Sequence, residues 1–506
     1  MAANPFTVTT TSRRSFLGGA VALGVGLGLA GCTSSPTPSG TGQGGAGSFN
    51  GVTVRVAVGS FMSTGVKIFK DAWEAKTGGK VEIVEIPFGD LYSKLFQAFS
   101  SRVDAYDVVI YASNWTSGFA KAKYISPLDD FYKAKSNAGE VLEKVQKLSY
   151  ASGSRYTIPL DGDVIMLYYR KDAFESQEAK DKHKAKYGTE LAVPTTWDDY
   201  VRLAEFFTGW DWAKNGKECY GVLEAMKPKD VGPYILTAHA AGYAGAADSP
   251  LSLFFDPDTM KPQVDNPGWV QALTDWVRLL KSGPSQMITF GGGDQRGNFV
   301  AGNYALAIDW PDIGILAQDS SQSIIQDKLG YAVIPGSKRV WSAKQGAWTE
   351  SDTVMTTPYM GWGGWHASIA ATSPNPAAAW DFADFLDSTE NALKAVTTPG
   401  TARGPYRKDH FDAAKWTASD VKFVNAEDYL NSQLTMFNDP NVRLDLRIPE
   451  AGRYFEALDG AAQQALSGAA TPEQALADCA KKWTSITEEI GKESQQQLYR
   501  DLQATS

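Results

Sequence analysis

Two carboxylates stand one residue apart in LDGDVIMLYYRKD, residues 160–172, where Asp161 and Asp163 precede an apolar and aromatic run. Paired acids can hydrolyse a glycosidic bond, but they must flank it, roughly 5 Å or more apart on opposed sides of the sugar. Side chains at i and i+2 of an extended chain point to the same side, so this pair does not bracket a bond by itself. The spacing does suit hydrogen bonds to vicinal hydroxyls, offered from one face.

Other chemistry is sparse. The four histidines, His183, His239, His366 and His410, show no i, i+4 pair, and HExxH and CxxC do not occur. A zinc, haem or iron–sulfur centre is therefore not expected, nor is any other cofactor. Neither a G-x-S-x-G elbow nor a Walker loop is present. Aromatic residues are abundant, with 15 Trp, and Trp115, Trp310, Trp362 and Trp365 stand in glycine- or proline-flanked turns. Such rings beside carboxylates, amides and Arg suit hydroxyl-rich ligands, because apolar C–H faces stack while polar tips orient. His366, beside Trp365, is kept as a cleft candidate. The triple glycine of FGGGDQRGNFV could cradle an anion with its amides. No Lys-Ser or Lys-Thr follows, and it reads instead as a flexible loop before Asp294.

Positioning these groups falls to an alternation of short strands and helices. VTVRVAV alternates at period two, the next segment sets Val66, Phe69 and Trp73 on one helical face, and VEIVEI is a second strand. A helix with Leu91, Leu95, Phe96 and Phe99 inward leads to YDVVIYA, an apolar run of the kind buried on both faces of a parallel sheet. This is a βαβαβ unit, so the fold class is α/β. Ligands of open α/β sheets bind beyond the carboxyl ends of the strands, which singles out residues 59–62 and 113–115. From about residue 160 the chain becomes more helical: a charged insert reads as a solvated helix, and Thr196 caps the helix of PTTWDDYVRLAEFF. YALAID, LGYAVIPG and the segment after GWGGWHASIAATS supply further strands and a helix begun by Asn375 and Pro376.

The chain's start argues for export. Arg13 and Arg14 precede an apolar run ending at Cys32, too short for a membrane span of about 20 residues, so residues 1–31 read as a signal peptide. SRRSFL resembles a twin-arginine signal, and Leu29, Ala30, Gly31 and Cys32 resemble a lipobox whose cysteine is acylated. Residues 32–49 then form a lipidated cysteine and a flexible tether rich in Gly, Ser and Pro. Without residues 1–31, which carry two Arg and no acid, the formal charge moves from −9 to −11, which disfavours nucleic acid as a partner. Cys219 and Cys479 could pair, but sequence does not bring them within bonding distance.

In order along the chain, AYDVVIYASNW, KYISPLDDFY, YTIPLDGDVIMLYYRKDAF with PTTWDDY, FVAGNYALAIDWPDIG, GYAVIPG, GGWHASIAATSPNPAAAWDFADFL, TPGTARGPYR and ATPEQALADCAKKW resemble one family. It is that of the extracellular solute-binding proteins of bacterial carbohydrate ABC importers, the family that includes maltose-binding protein. The resemblance runs from about residue 50 to 485. It implies a periplasmic-binding-protein-like fold, two α/β lobes joined by crossovers near 159–163, 308–310 and 363–369. Lobe 1 is then 50–159 plus 311–364, and lobe 2 is 160–310 plus 365–506.

The resemblance also implies a monomeric, lipid-anchored protein at the outer face of the cell membrane that performs no catalysis. It traps a sugar, oligosaccharide or polyol between its lobes and delivers it to permease subunits of the transporter. Ser60, Phe61, Asn114, Trp115, Asp161, Asp163, Trp310, Gly364, Trp365 and Arg403 should line the cleft. Two alternatives remain at this point: an exported carbohydrate-active hydrolase or lyase, and the same fold binding a polyamine or peptide.

Overall fold

The computed structural model describes residues 48–135, 138–245 and 250–503. The expected signal peptide, Cys32 and most of the tether lie outside them.

The first half of the chain runs β1 (Thr53–Gly59), α1 (Thr64–Thr77), β2 (Lys80–Ile86), α2 (Phe88–Ser100), β3 (Val108–Ala112), β4 (Ile158–Pro159), β5 (Met166–Arg170) and α3 (Trp197–Phe207). It continues through β6 (Tyr220–Leu223), α4 (Gly232–Ala244), α5 (Pro267–Leu279), α6 (Gly292–Val300), β7 (Tyr304–Asp309) and β8 (Leu329–Ala332). After β9 (Trp365–Ile369) and α7 (Pro376–Leu386), the remaining regular structure is almost wholly helical.

Two sheets organise these elements. The first has the order β2-β1-β3-β9-β4, the second β8-β5-β7-β6. In the first, β1 pairs parallel with β2 and β3, the βαβαβ unit expected from the alternation of strand and helix periods. Val56 and Val58 of β1 and every residue of β3 are buried, because helices cover both faces of this part of the sheet. In the second, β5 runs antiparallel between β8 and β7, and β6 is parallel to β7. All thirteen residues of α4 are buried, so this helix is packed on every side and lies inside the second body.

The caps follow local sequence. Thr196 accepts from the Asp199 amide at 3.1 Å to start α3, and Asn266 accepts from Gly268 and Trp269 to start α5. The charged insert is a helix, Gln177–Tyr187, ended by Gly188 in the left-handed region.

Two strands pair in the sheet opposite to the one that the expected lobe bounds imply. Residues 329–332 were expected with the first lobe, yet β8 pairs with β5 of the second sheet. Residues 365–369 were expected with the second, yet β9 lies between β3 and β4 of the first. The physical reason is burial on both faces: β9 is wholly buried and completes the side of β3 that β1 leaves open. A hairpin of Ser337–Ser342 and Ala347–Met355, with Trp341 set edge-on to Trp348 at 5.8 Å, was not anticipated. Cys219 and Cys479 are buried free thiols.

Candidate functional site

Residues 160–165 carry the chain from β4 of the first sheet to β5 of the second. Gly162 is required there, since a Cβ on it would stand 2.5 Å from the Pro405 carbonyl oxygen. Gly364 sits at φ 88°, and a Cβ on it would lie 2.4 Å from the Asp161 carbonyl oxygen. Two glycines thus let three segments, 160–164, 361–365 and 402–406, pass side by side.

Their meeting point is a cavity of about 230 Å³. It gathers residues that follow strands of both sheets: Phe61 after β1, Phe88 after β2, Asp163 after β4, Trp310 and Asp312 after β7. Trp362 and Trp365 enter from the turn before β9, Asp230 and Val231 from the approach to α4, and Gly292, Gly293 and Arg296 from the first turns of α6. Ala402 completes the wall. Placement at the carboxyl ends of the strands is what an open α/β sheet dictates.

Aromatic rings form a continuous surface. Trp310 and Trp362 stack at 4.5 Å between centroids, Trp365 meets Phe61 edge-on at 4.9 Å, and Phe88 lies 5.2 Å from Trp362. The GWGGW turn produces this arrangement by holding Trp362, Gly363 and Gly364 all at positive φ. For Trp362 that conformation costs roughly 1–3 kcal/mol, which its anchors oppose. Its amide donates to Asp445 at 3.1 Å, and its carbonyl accepts from Ser113 Oγ at 2.8 Å.

The polar side is acidic. Arg296 donates from Nε and Nη2 to Asp309 at 2.7 and 3.2 Å, and its Nη2 lies 3.1 Å from Asp312. Burial alone would lower the guanidinium, but Asp309 and Asp312 hold it above its ordinary value. Burial pushes the Asp309 carboxyl up to about 6, against the pull of Arg296. Asp230 accepts at Oδ1 from the amides of Val231 and Gly292, both at 2.9 Å, and so ties the approach to α4 to the start of α6.

Asp161 and Asp163 divide their work. Asp161 accepts from the Trp365 amide at 3.3 Å and from the Gly404 amide, bonds that hold the three crossing segments together. Burial raises its carboxyl to about 7. Asp163 is 4% exposed, lines the cavity and sits well above the ordinary carboxylate range, first through burial and then through the neighbouring Asp161 charge.

Of the ten expected positions, the cavity wall brings together Phe61, Asp163, Trp310 and Trp365. The other six stand elsewhere. Ser60 is exposed, with its carbonyl accepting from the Ser63 amide and hydroxyl. Asn114 is buried and donates to Asp445 at 2.9 Å, and Trp115 packs against Tyr92 and Tyr111. Asp161 and Gly364 shape the crossing from behind.

Arg403 is 3% exposed and lies against Gly65, its three guanidinium nitrogens meeting no acceptor among the described residues. Its neighbour Ala402 reaches the cavity in its place.

His366 is buried within β9, bonded through Nδ1 to Thr157 at 2.7 Å, and burial pushes it down to about 3. It is not part of the wall. The triple glycine is not a flexible loop: Gly292 and Gly293 form the first turn of α6, where the Asp294 carboxylate accepts from the Gly291 amide. Several wall residues escaped the sequence reading. Phe88 was within reach of the strand-end rule, and Trp362 was noted for its turn without joining the expected set. Asp230, Arg296 and Asp312 carry no local signal, because only tertiary folding sets them opposite the first sheet.

Comparison with known proteins agrees with this architecture. The family model described as bacterial extracellular solute-binding protein matches residues 59–393. A probable ABC transporter-binding protein of Deinococcus radiodurans is 27% identical over 374 residues, which span 70% of this chain and 77% of that protein. A mannitol-binding protein of Pseudomonas aeruginosa is 25% identical over 354 residues, 67% of this chain and 70% of that one. Among solved structures, an ABC transporter solute-binding protein from Agrobacterium radiobacter K84 in complex with ribitol superposes with a TM-score of 0.71 at 22% identity. The match covers 87% of this chain and 100% of that one. The fold is that of a periplasmic binding protein, two α/β lobes around a cleft. With two thirds of its length matched by the family model, the chain belongs to the bacterial extracellular solute-binding proteins.

Proposed function

We propose that this protein captures a sugar or polyol in the cavity between its two sheets and delivers it to the permease subunits of an ABC importer. The observation that carries the reading is the wall itself: five aromatic rings facing Asp163, Asp230 and Asp312. Rings stack on the apolar C–H faces of a sugar, and carboxylates accept hydrogen bonds from its hydroxyls. The mannitol named for one relative and the ribitol held by a solved neighbour support the same class. At about 230 Å³ the cavity is smaller than the roughly 300–1,000 Å³ of pockets for drug-sized ligands, which favours one ring or a linear polyol over an oligosaccharide.

Ligand binding biases the lobes toward closure, and the closed form is the one presented to the permeases. The lobes of this reading are 50–159 with the β9 strand, and 160–310 with the β8 strand. The protein works as a monomer, exported by a twin-arginine or related signal and tethered by acylated Cys32 to the outer face of the membrane. Substrate leaves unchanged.

A thermal-shift screen over sugars, polyols, amino acids and polyamines tests the reading, since a solute that binds only the folded state raises its apparent stability. Stabilisation by sugars or polyols is expected. Stabilisation by polyamines or amino acids alone overturns the reading, as does conversion of a bound saccharide to product.

A further inference from the structure

The charges facing the cavity do not balance. Among the described residues Arg296 is the one cationic side chain in the wall, and its guanidinium is already engaged by Asp309 and Asp312. Asp163 and Asp230 have no such partner, for among the described residues neither forms an ion pair with a Lys or Arg. Asp163 receives no N–H bond among the described residues; its carboxyl is hydrogen-bonded to that of Asp161 and feels the Arg296 charge only at a distance. Asp230 uses Oδ1 for both of its amide bonds and keeps Oδ2 for another donor. Arg403 does not restore the balance at the wall, because it lies behind Ala402 against Gly65, where the charge of Asp161 faces it.

A neutral polyol would satisfy the hydrogen-bonding capacity of these carboxyl groups but supply no counter-charge to Asp230 or to the buried Asp161–Asp163 pair. A cation supplies donors and counter-charge together. The ring wall suits the same ligand: Trp310, Trp362 and Trp365 present faces and edges around one volume, and tryptophan faces attract cations within about 6 Å. Among the described residues no three carboxylate, histidine or thiol groups converge in a metal-holding set, so the wall offers an organic cation its ring faces rather than a metal ion a ligand set.

From these relationships we propose that the solute carries a protonated amine: it is an amino sugar or an aminated polyol, with its ammonium between Asp163 and Asp230 and against the tryptophan wall. The inference rests on the reading of the chain as a sugar or polyol binder and narrows it.

Titration calorimetry of the purified protein at pH 7 with matched pairs tests it: glucosamine against N-acetylglucosamine, galactosamine against galactose, and 1-amino-1-deoxysorbitol against sorbitol. In at least one pair the amine is expected to bind about tenfold tighter or more. Asp230→Asn, which keeps the Oδ1 acceptor, is expected to reduce that ratio below about threefold. Asp163→Asn provides the same comparison if the first variant folds poorly by circular dichroism. Equal or tighter binding of the neutral members overturns the inference while the sugar reading stands. Binding of choline or spermidine with no member of any pair bound, or no binding at all, overturns both.

Discussion

Trp310 and Trp362 lie face to face, 4.5 Å apart with planes 13° from parallel, and Trp310 Nε1 donates to the Gly361 carbonyl at 3.0 Å. One ring follows β7 of the second sheet, and the other belongs to the turn that leads into β9 of the first. The stack is therefore both a joint between sheets and a face of the site. Trp310→Ala should lower stability by about 3–5 kcal/mol, read as a shift of the urea midpoint, and abolish ligand binding. Trp310→Phe should retain most of the stability. A Trp310→Ala protein with wild-type stability would remove the ring from its place as a joint.

Asp161 and Asp163 should separate in mutation as they do in space. Asp161→Ala strands the amides of Trp365 and Gly404, each worth roughly 1–3 kcal/mol when buried without a partner. Asp163→Ala strands no amide and should cost little stability while removing ligand affinity. Chemical denaturation and a ligand titration on the two variants distinguish the roles, and the reverse pattern would exchange them.

The same pair makes stability depend on pH. Burial raises Asp161 to about 7, against an unfolded value near 4. Between those pH values the folded protein binds more protons than the unfolded chain. The contribution of Asp161 is thus full below about pH 4 and is lost as pH rises through about 7, and Asp163, raised further by burial and by the Asp161 charge, acts with the same sign. Urea midpoints measured at pH 5 and pH 8 should differ less in the Asp161→Asn/Asp163→Asn double variant than in the parent. An unchanged difference would mean that other groups set the slope.

Cys219 and Cys479 are both buried thiols, and burial pushes the Cys479 thiol up to about 12. High pKa and low access make both inert. Iodoacetamide should leave them unmodified in the native protein and label both in urea, as read by peptide mass. A peptide pair linked through a disulfide would contradict this.

What could be read from the sequence is what depends on local pattern. The period-two run before Gly59, the apolar run before Ser113 and the Thr196 cap each declare an element within a few residues, and the strand-end rule then reached Phe61, while Trp310 was marked by its proline-flanked turn. Resemblance brought Asp163 and Trp365 to the wall. The sheets in which β8 and β9 pair were not readable, because strand pairing between distant segments leaves no local trace. Arg403 was expected to line the cleft, but with Ala402 in the left-handed region (φ 52°) it is Ala402 that reaches the wall while Arg403 lies against Gly65. Asp230, Arg296 and Asp312 were unreadable for the same reason as the pairing: each gains meaning only from what folds opposite it.

The central claim is that the cavity holds a sugar or polyol between the two sheets. Its most direct test is a crystal structure with the carbohydrate that most raises the melting temperature. Ligand density is predicted inside the cavity, packed on Trp365 or the Trp310–Trp362 stack with an oxygen or nitrogen within hydrogen-bond distance of the Asp163 carboxylate. Density for the ligand at a surface site, with this cavity empty of it, would contradict the account.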